Sequence, residues 1–170
     1  MSAVARRRRP ATRAEAAVLA SAVRLRIIRL TFARALTNKE ISERLDKDPA
    51  TTLYHVRKLV DAGFLAALPV RTGVRGAREI PYESTGLSWR LEGAATEDGA
   101  AQAMLEAFLG EVAEIGANSL EATRLVLQLD QQAQEELRSR LYALLDEFAA
   151  RSPQPGQRRT AVYLAVYPSE

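Results

Sequence analysis

Five chemically useful side chains crowd into one short stretch: the hydroxyl of Thr51, the phenol of Tyr54, the imidazole of His55, the guanidinium of Arg57 and the ammonium of Lys58. A helix over residues 49–62, turning about 100° per residue, separates them from the apolar positions. Thr52, Leu53, Val56, Leu59 and Val60 then share one side, Thr51, Tyr54 and Lys58 lie opposite, and Ala50, His55 and Arg57 flank them. Such an exposed set suits nucleic acid. Arginine or lysine bonds guanine, threonine and alanine methyls meet the thymine methyl, and tyrosine donates to phosphate. The plain alternative is a solvated helix face, and the neighbouring elements decide between the two.

Upstream, a short helix is expected over residues 12–20 and a second over 22–35. The second has Val23, Ile27, Leu30 and Arg34 along one side, with Leu25, Ile28 and Phe32 widening the stripe. Thr37-Asn38-Lys39-Glu40 is a capping box that opens a third helix with Ile41 and Leu45 inward. In the turn that follows, Asp48 suits an N-cap and Pro49 the first helical position, while Gly63 supplies a left-handed end to helix 49–62. Two short helices joined by such a turn make a helix-turn-helix. Downstream, residues 65–70 and 79–84 read as strands around a loop carrying Arg71, Arg75 and Arg78, a wing-like hairpin suited to phosphate or minor-groove contact. Pro69 and Pro81 within it are expected at edge or outward-facing slots. The capped helix before and the basic hairpin after favour DNA as the partner of the 49–62 face.

Charge divides the chain. Residues 1–90 hold 18 basic and 8 acidic side chains, net +10; residues 91–170 hold 6 and 13, net −7. The front should face a polyanion and the rear should not. Three parts are expected: a basic, disordered arm over 1–12, a winged helix-turn-helix over 13–90, and a dimerisation and possible effector-binding module over 91–170. In the rear module a helix over 97–116 carries Ala101, Met104, Leu105, Phe108, Val112 and Ile115. A strand over 123–129 follows, then a helix from Asp130 to about residue 150 with Leu137, Leu141, Leu144, Leu145 and Phe148, then a strand over 161–167. The fold class is therefore α+β, the rear module reading helix-strand-helix-strand. Its stripes fit a dimer interface, a ligand pocket lined by Trp89, Tyr142, Tyr163 and Tyr167, or plain core.

Composition excludes several functions. There is no cysteine, and His55 is the sole histidine, so thiolate or histidine-rich metal sites have no ligands. Lacking also a glycine-rich phosphate loop, the rear module is not expected to be an enzyme. No apolar run approaches the roughly 18 residues of a membrane span. The arginine run Arg6–Arg9 is followed by Arg13, Glu15, Arg24 and Arg26, so a cytoplasmic protein with a basic arm is expected. Arginine outnumbers lysine 21 to 3, which suits phosphate binding and equally a GC-rich genome.

The stretch Leu19-Ala20-Ser21-Ala22-Val23-Arg24-Leu25-Arg26-Ile27-Ile28, together with Leu53-Tyr54-His55-Val56-Arg57-Lys58-Leu59-Val60-Asp61-Ala62-Gly63-Phe64-Leu65, resembles the ArsR-type winged-helix family. The resemblance covers roughly residues 15–90. It implies a homodimeric DNA-binding regulator, usually a repressor released by an effector, with contacts at Thr51, Tyr54, His55 and Arg57. The chain departs from that pattern by lacking the metal sensors' cysteine and histidine ligands and by placing Asp46-Lys47 in the turn. The implied partners are double-stranded DNA, a second copy and a small organic effector, with no cofactor. A winged helix used as a protein-protein module is the alternative.

Overall fold

The computed structural model describes residues 8–73, 76–96, 98–151 and 156–169. The chain divides into two compact units, Arg7–Asn118 and a second that includes Ser119–Glu170.

The front unit begins with a short strand β1 (Arg9–Pro10), then helices α1 (Arg13–Leu19), α2 (Ala22–Ala33), α3 (Asn38–Leu45) and α4 (Pro49–Asp61), with β2 (Leu36–Thr37) between α2 and α3. The hairpin strands β3 (Leu65–Ala67), β4 (Arg71–Thr72), β5 (Arg78–Glu79) and β6 (Pro81–Ser84) follow, then β7 (Leu91–Glu92) and α5 (Ala100–Ile115). Local chemistry sets the helix starts. Thr37 accepts from the Glu40 amide at 3.2 Å while Glu40 accepts from the Thr37 amide at 2.7 Å, closing the expected box. Thr12 and Glu15 form a second box that opens α1. Gly63 adopts φ +77° and ends α4, with the Phe64 amide donating to the Leu59 carbonyl at 2.9 Å.

These elements enclose one core of Leu19, Ile27, Leu36, Ile41, Leu45, Val56, Leu59 and Phe64, each at most 6% exposed. Thr31 and Thr52 are buried in it, their hydroxyls satisfied by the Ile27 carbonyl at 2.8 Å and the Asp48 carbonyl at 3.0 Å. Phe32, expected in the α2 stripe, is instead 73% exposed, and Thr31 takes the inward position beside it.

The hairpin is present, with a kink. Strand β6 lies between β2 and β3, all antiparallel, with Leu65 opposite Ser84 and Ala67 opposite Tyr82. Farther out Arg71 faces Glu79 and Thr72 faces Arg78. Residues 68–70 thus oppose only residues 80–81, a bulge of one extra residue that takes Pro69 out of the ladder. Pro81 is at neither an edge nor an outward slot. It is buried as the first residue of the central strand, where its carbonyl accepts from the Leu68 amide at 2.8 Å and no donor is asked of it.

Two further expectations change. Residues 8–12, placed in a disordered arm, are held: β1 pairs in parallel with β7, and Arg9 forms an ion pair with Glu15 at 2.5 Å. Residues 1–7 of that arm lie outside the described residues. In α5 the packed face is Ala100, Ala103 and Ala107, while Ala101, Leu105 and Ile115 are exposed. Small side chains let α5 approach α2 closely, and Glu111 and Glu114 pair with Arg29 and Arg26. Two of the acidic residues after position 90 therefore neutralise two arginines of α2.

The second unit contains α6 (Gln131–Ala149), capped by Asp130, whose Oδ1 accepts from the Ala133 amide at 2.8 Å. The segments 123–129 and 161–167, expected as strands, form no strand ladder among the described residues. A break is expected from the sequence over 153–156, Pro-Gln-Pro-Gly; of these, 153–155 lie outside the described residues.

Candidate nucleic-acid interface

Helix α4 is held by its own ends and by α3. Both the Ala50 and Thr51 amides donate to Asp48 Oδ2 at 2.9 Å, and Asn38 Nδ2 donates to the Pro49 carbonyl at 2.9 Å. The turn between α3 and α4 needs one left-handed residue, and Asp46 supplies it at φ +49° without a glycine. The geometry then sorts the faces. Thr52, Val56 and Leu59 are buried, whereas Ala50, Thr51, Tyr54, Arg57 and Lys58 are exposed.

Tyr54, 56% exposed, organises the centre of this face. Lys58 Nζ stands 5.9 Å from its ring centroid, and the His55 ring meets it edge-on at 5.4 Å. Arg24 of α2 lies close enough to interact electrostatically with Tyr54 and His55. It donates to the carbonyls of Val18 and, at 3.1 Å, of Ala17, fastening α2 to the end of α1. His55 is half-buried on the flank, and its Nδ1 is enclosed without a hydrogen-bond partner. Burial first, then the positive charges of Arg24 and Lys47, hold the imidazole below its ordinary pKa of 6.5. At neutral pH it is an uncharged donor or acceptor.

The hairpin cations have different fates. Arg71 sits at the base of the wing, its Nε 3.2 Å from Glu79 and an Nη 3.3 Å from Glu40. It closes the wing against α3 and is already committed to two carboxylates. Arg78 is exposed in β5, with no ion pair among the described residues. Arg75 lies outside the described residues. Arg24 and Lys47 belong to the site although the sequence reading did not single them out. Lys47 had a signal, a basic residue in the turn beside the helix. Arg24 had none, because only the packing of α2 against α4 reveals it.

The aromatic residues offered as a pocket lining fall in different units, Trp89 in the front one and Tyr142, Tyr163 and Tyr167 in the second. Among the described residues no group of three or more His, Cys, Asp or Glu side chains is placed to hold a metal ion, and no helix is long and apolar enough to cross a membrane.

A helix-turn-helix, with a bulged hairpin beside its second helix, is therefore the class that fold and site define. Residues 19–66 match the family described as helix-turn-helix domain. No curated protein matches the sequence. Similar solved structures include Lactococcus lactis ZitR, as a double mutant in apo form, with 20% identity over 78% of this chain and 86% of that one and a TM-score of 0.35. A single-site mutant of the same protein gives 21% identity over 74% and 73%, with a TM-score of 0.34.

Proposed function

We propose that the protein is a sequence-specific DNA-binding transcriptional regulator of the ArsR-like kind, acting as a homodimeric repressor in the cytoplasm. The observation that carries this is the sorting of α4: its apolar side is sealed in the core while Thr51, Tyr54, Arg57 and Lys58 stand on one exposed face. In the complex α4 enters the major groove. Arg57, Tyr54 and Thr51 read base edges with Ala50, Lys58 holds phosphate, and His55 donates at the flank. The hairpin is the wing, and Arg78 and Arg75 are its phosphate contacts. Arg71 acts indirectly, by fixing the hairpin base through Glu40 and Glu79.

Residues 13–90 form the DNA-reading part, and residues 91–170 dimerise and receive any effector. With no cysteine and one histidine, that effector is a small organic molecule, not a soft metal. A two-fold dimer places its recognition helices one turn of DNA apart, about 34–36 Å, so the operator is an inverted repeat.

Fluorescence anisotropy with duplex DNA at several salt concentrations tests the reading. Each phosphate contact contributes about −0.9 to the slope of log K against log salt. Arg78→Ala lowers that slope by about one unit on every duplex, while Arg57→Ala changes which sequence is preferred, by about 1–3 kcal/mol at the affected base. Salt-independent binding, or no binding to any duplex, refutes the assignment and leaves the protein-protein module.

A further inference from the structure

The second unit contains material for a sheet that one chain does not assemble. Residues 123–129, Thr-Arg-Leu-Val-Leu-Gln-Leu, alternate along an extended strand except at Val126. One face holds Leu125, Leu127 and Leu129, and the other holds Arg124, Val126 and Gln128. Yet Leu125 is 74% exposed, Val126 76% and Leu127 50%, and the segment carries no ladder. Helix α6 fully buries none of its residues: Leu137, Leu141 and Leu145 are half-buried, and Leu144 and Phe148 are more than half exposed. Unpaired strand edges and an apolar face of this kind demand a partner.

We infer that the partner is a second copy of this chain, and that residues 123–129 pair antiparallel with themselves across a two-fold axis at Leu127. The inference rests on the homodimer reading above and names its interface. A two-fold axis normal to a sheet requires some residue to face its own copy. Centred on Leu127, the register sets Leu125 opposite the second copy's Leu129 and Arg124 opposite its Asp130. The leucine face is then continuous across both strands, and each end closes with an ion pair. Shifting the centre to Val126 sets Arg124 against Gln128 and loses both ion pairs, so charge selects the Leu127 register. Net charge permits self-association as well, since residues 119–170 hold six basic and seven acidic side chains. A strongly charged partner has nothing to match there.

The strand-helix-strand order supplies the rest. In the dimer a right-handed crossover through α6 would set 161–167 parallel to 123–129 on its outer side, a ladder the single chain does not form among the described residues. Two copies give four strands, whose leucine face the two α6 stripes cover. Self-pairing through an isologous edge also closes the assembly, so it does not propagate into fibres.

Because the chain has no cysteine, single substitutions can map the register. In the full-length protein each residue from 124 to 130 is changed to cysteine in turn, and disulfide-linked dimer is measured after mild oxidation. Leu127→Cys is expected to cross-link to its own copy about tenfold faster than Val126→Cys, since facing Cβ atoms must come within about 4.5 Å. The double variant Leu125→Asp/Leu127→Asp is expected to sediment as a monomer at micromolar concentration and still to bind half-site DNA. A dimer that cross-links at Leu109→Cys in α5 and nowhere in 124–130 overturns the strand pairing and leaves the dimer intact. A wild-type monomer overturns strand pairing and dimer together, while the salt titration continues to report on DNA binding separately. The single-cysteine series decides the matter even if the aspartate variant fails to fold.

Discussion

Helices α4 and α6 begin alike. Each follows an aspartate N-cap, Asp48 or Asp130, and each repeats leucine, valine or phenylalanine at helical spacing. Their burial is opposite. Val56 and Leu59 are sealed at 0% exposure, whereas α6 buries nothing. Caps and period are local properties, satisfied within a few residues, and they form both helices. Burial depends on what lies across the apolar face. α4 has α2, α3 and β3 there, whereas the α6 stripe of Leu137, Leu141 and Leu145 is only half-buried among the described residues. The same spacing therefore marks a finished core in one unit and an unfinished one in the other.

The sharpest break of this comparison is a truncation on each helix. Leu59→Ala should destabilise the front unit by about 2–5 kcal/mol at every protein concentration, since it opens a cavity in a closed core. Leu144→Ala should leave the front unit's unfolding unchanged and act only through association, so its effect depends on concentration. Denaturant melts at two protein concentrations, followed by helical circular dichroism, separate the two. A concentration-independent loss of similar size at Leu144 would mean that α6 already has its cover within the chain.

Much of the front unit was legible because its signals are local. The Thr37–Glu40 box, the Asp48-Pro49 start and the Gly63 stop each depend on residues within a few positions, and all three form as read. What the sequence hid was long-range. Arg9–Pro10 pairs with Leu91–Glu92, which no local pattern announces. The bulge at residues 68–70 appears only when the two ladders are registered against each other. Periodicity chose the bulky stripe of α5, but closeness to α2 selected its alanines. Arg71 looked like a free cation until the fold brought Glu40 beside it. In the site, the exposed face of α4 followed from its rotation alone, whereas the positive field at His55 comes from Arg24 and Lys47 on other elements.

A middle-sized contrast lies in the two caps. Asp48 satisfies two amides at 2.9 Å and Asp130 one at 2.8 Å. Asp48→Ala should cost about 1 kcal/mol of front-unit stability. It should also weaken duplex binding, because the first turn of α4 carries Ala50 and Thr51. Asp130→Ala removes an equally local bond from an exposed helix. It should show as faster hydrogen exchange in the first turn of α6, with the front unit's melt unmoved. Equal effects of both variants on DNA affinity would erase the distinction between a helix that positions a binding surface and one that does not.

The smallest expected effect concerns the one imidazole in the chain, which α4 carries and α6 has no counterpart for. Burial and the charges of Arg24 and Lys47 hold His55 below 6.5, so the folded protein declines a proton that the unfolded chain accepts. Its contribution to stability is complete above 6.5 and is lost as pH falls below that value, because the unfolded state then binds more protons. His55→Gln should therefore flatten the decline in stability between pH 7.5 and 5.5. DNA reverses the sign. A phosphate beside the imidazole would favour its charged form and offset Arg24 and Lys47, so affinity for duplex should rise over the same interval. One group would thus weaken the fold and strengthen the complex as acid is added, and both slopes should shrink together in His55→Gln. Anisotropy titrations at fixed ionic strength across that interval provide the measurement. If affinity stays flat while the stability slope is present, His55 serves the packing of α4 against α2 and does not touch the DNA. The reading face would then contract to Thr51, Tyr54, Arg57 and Lys58.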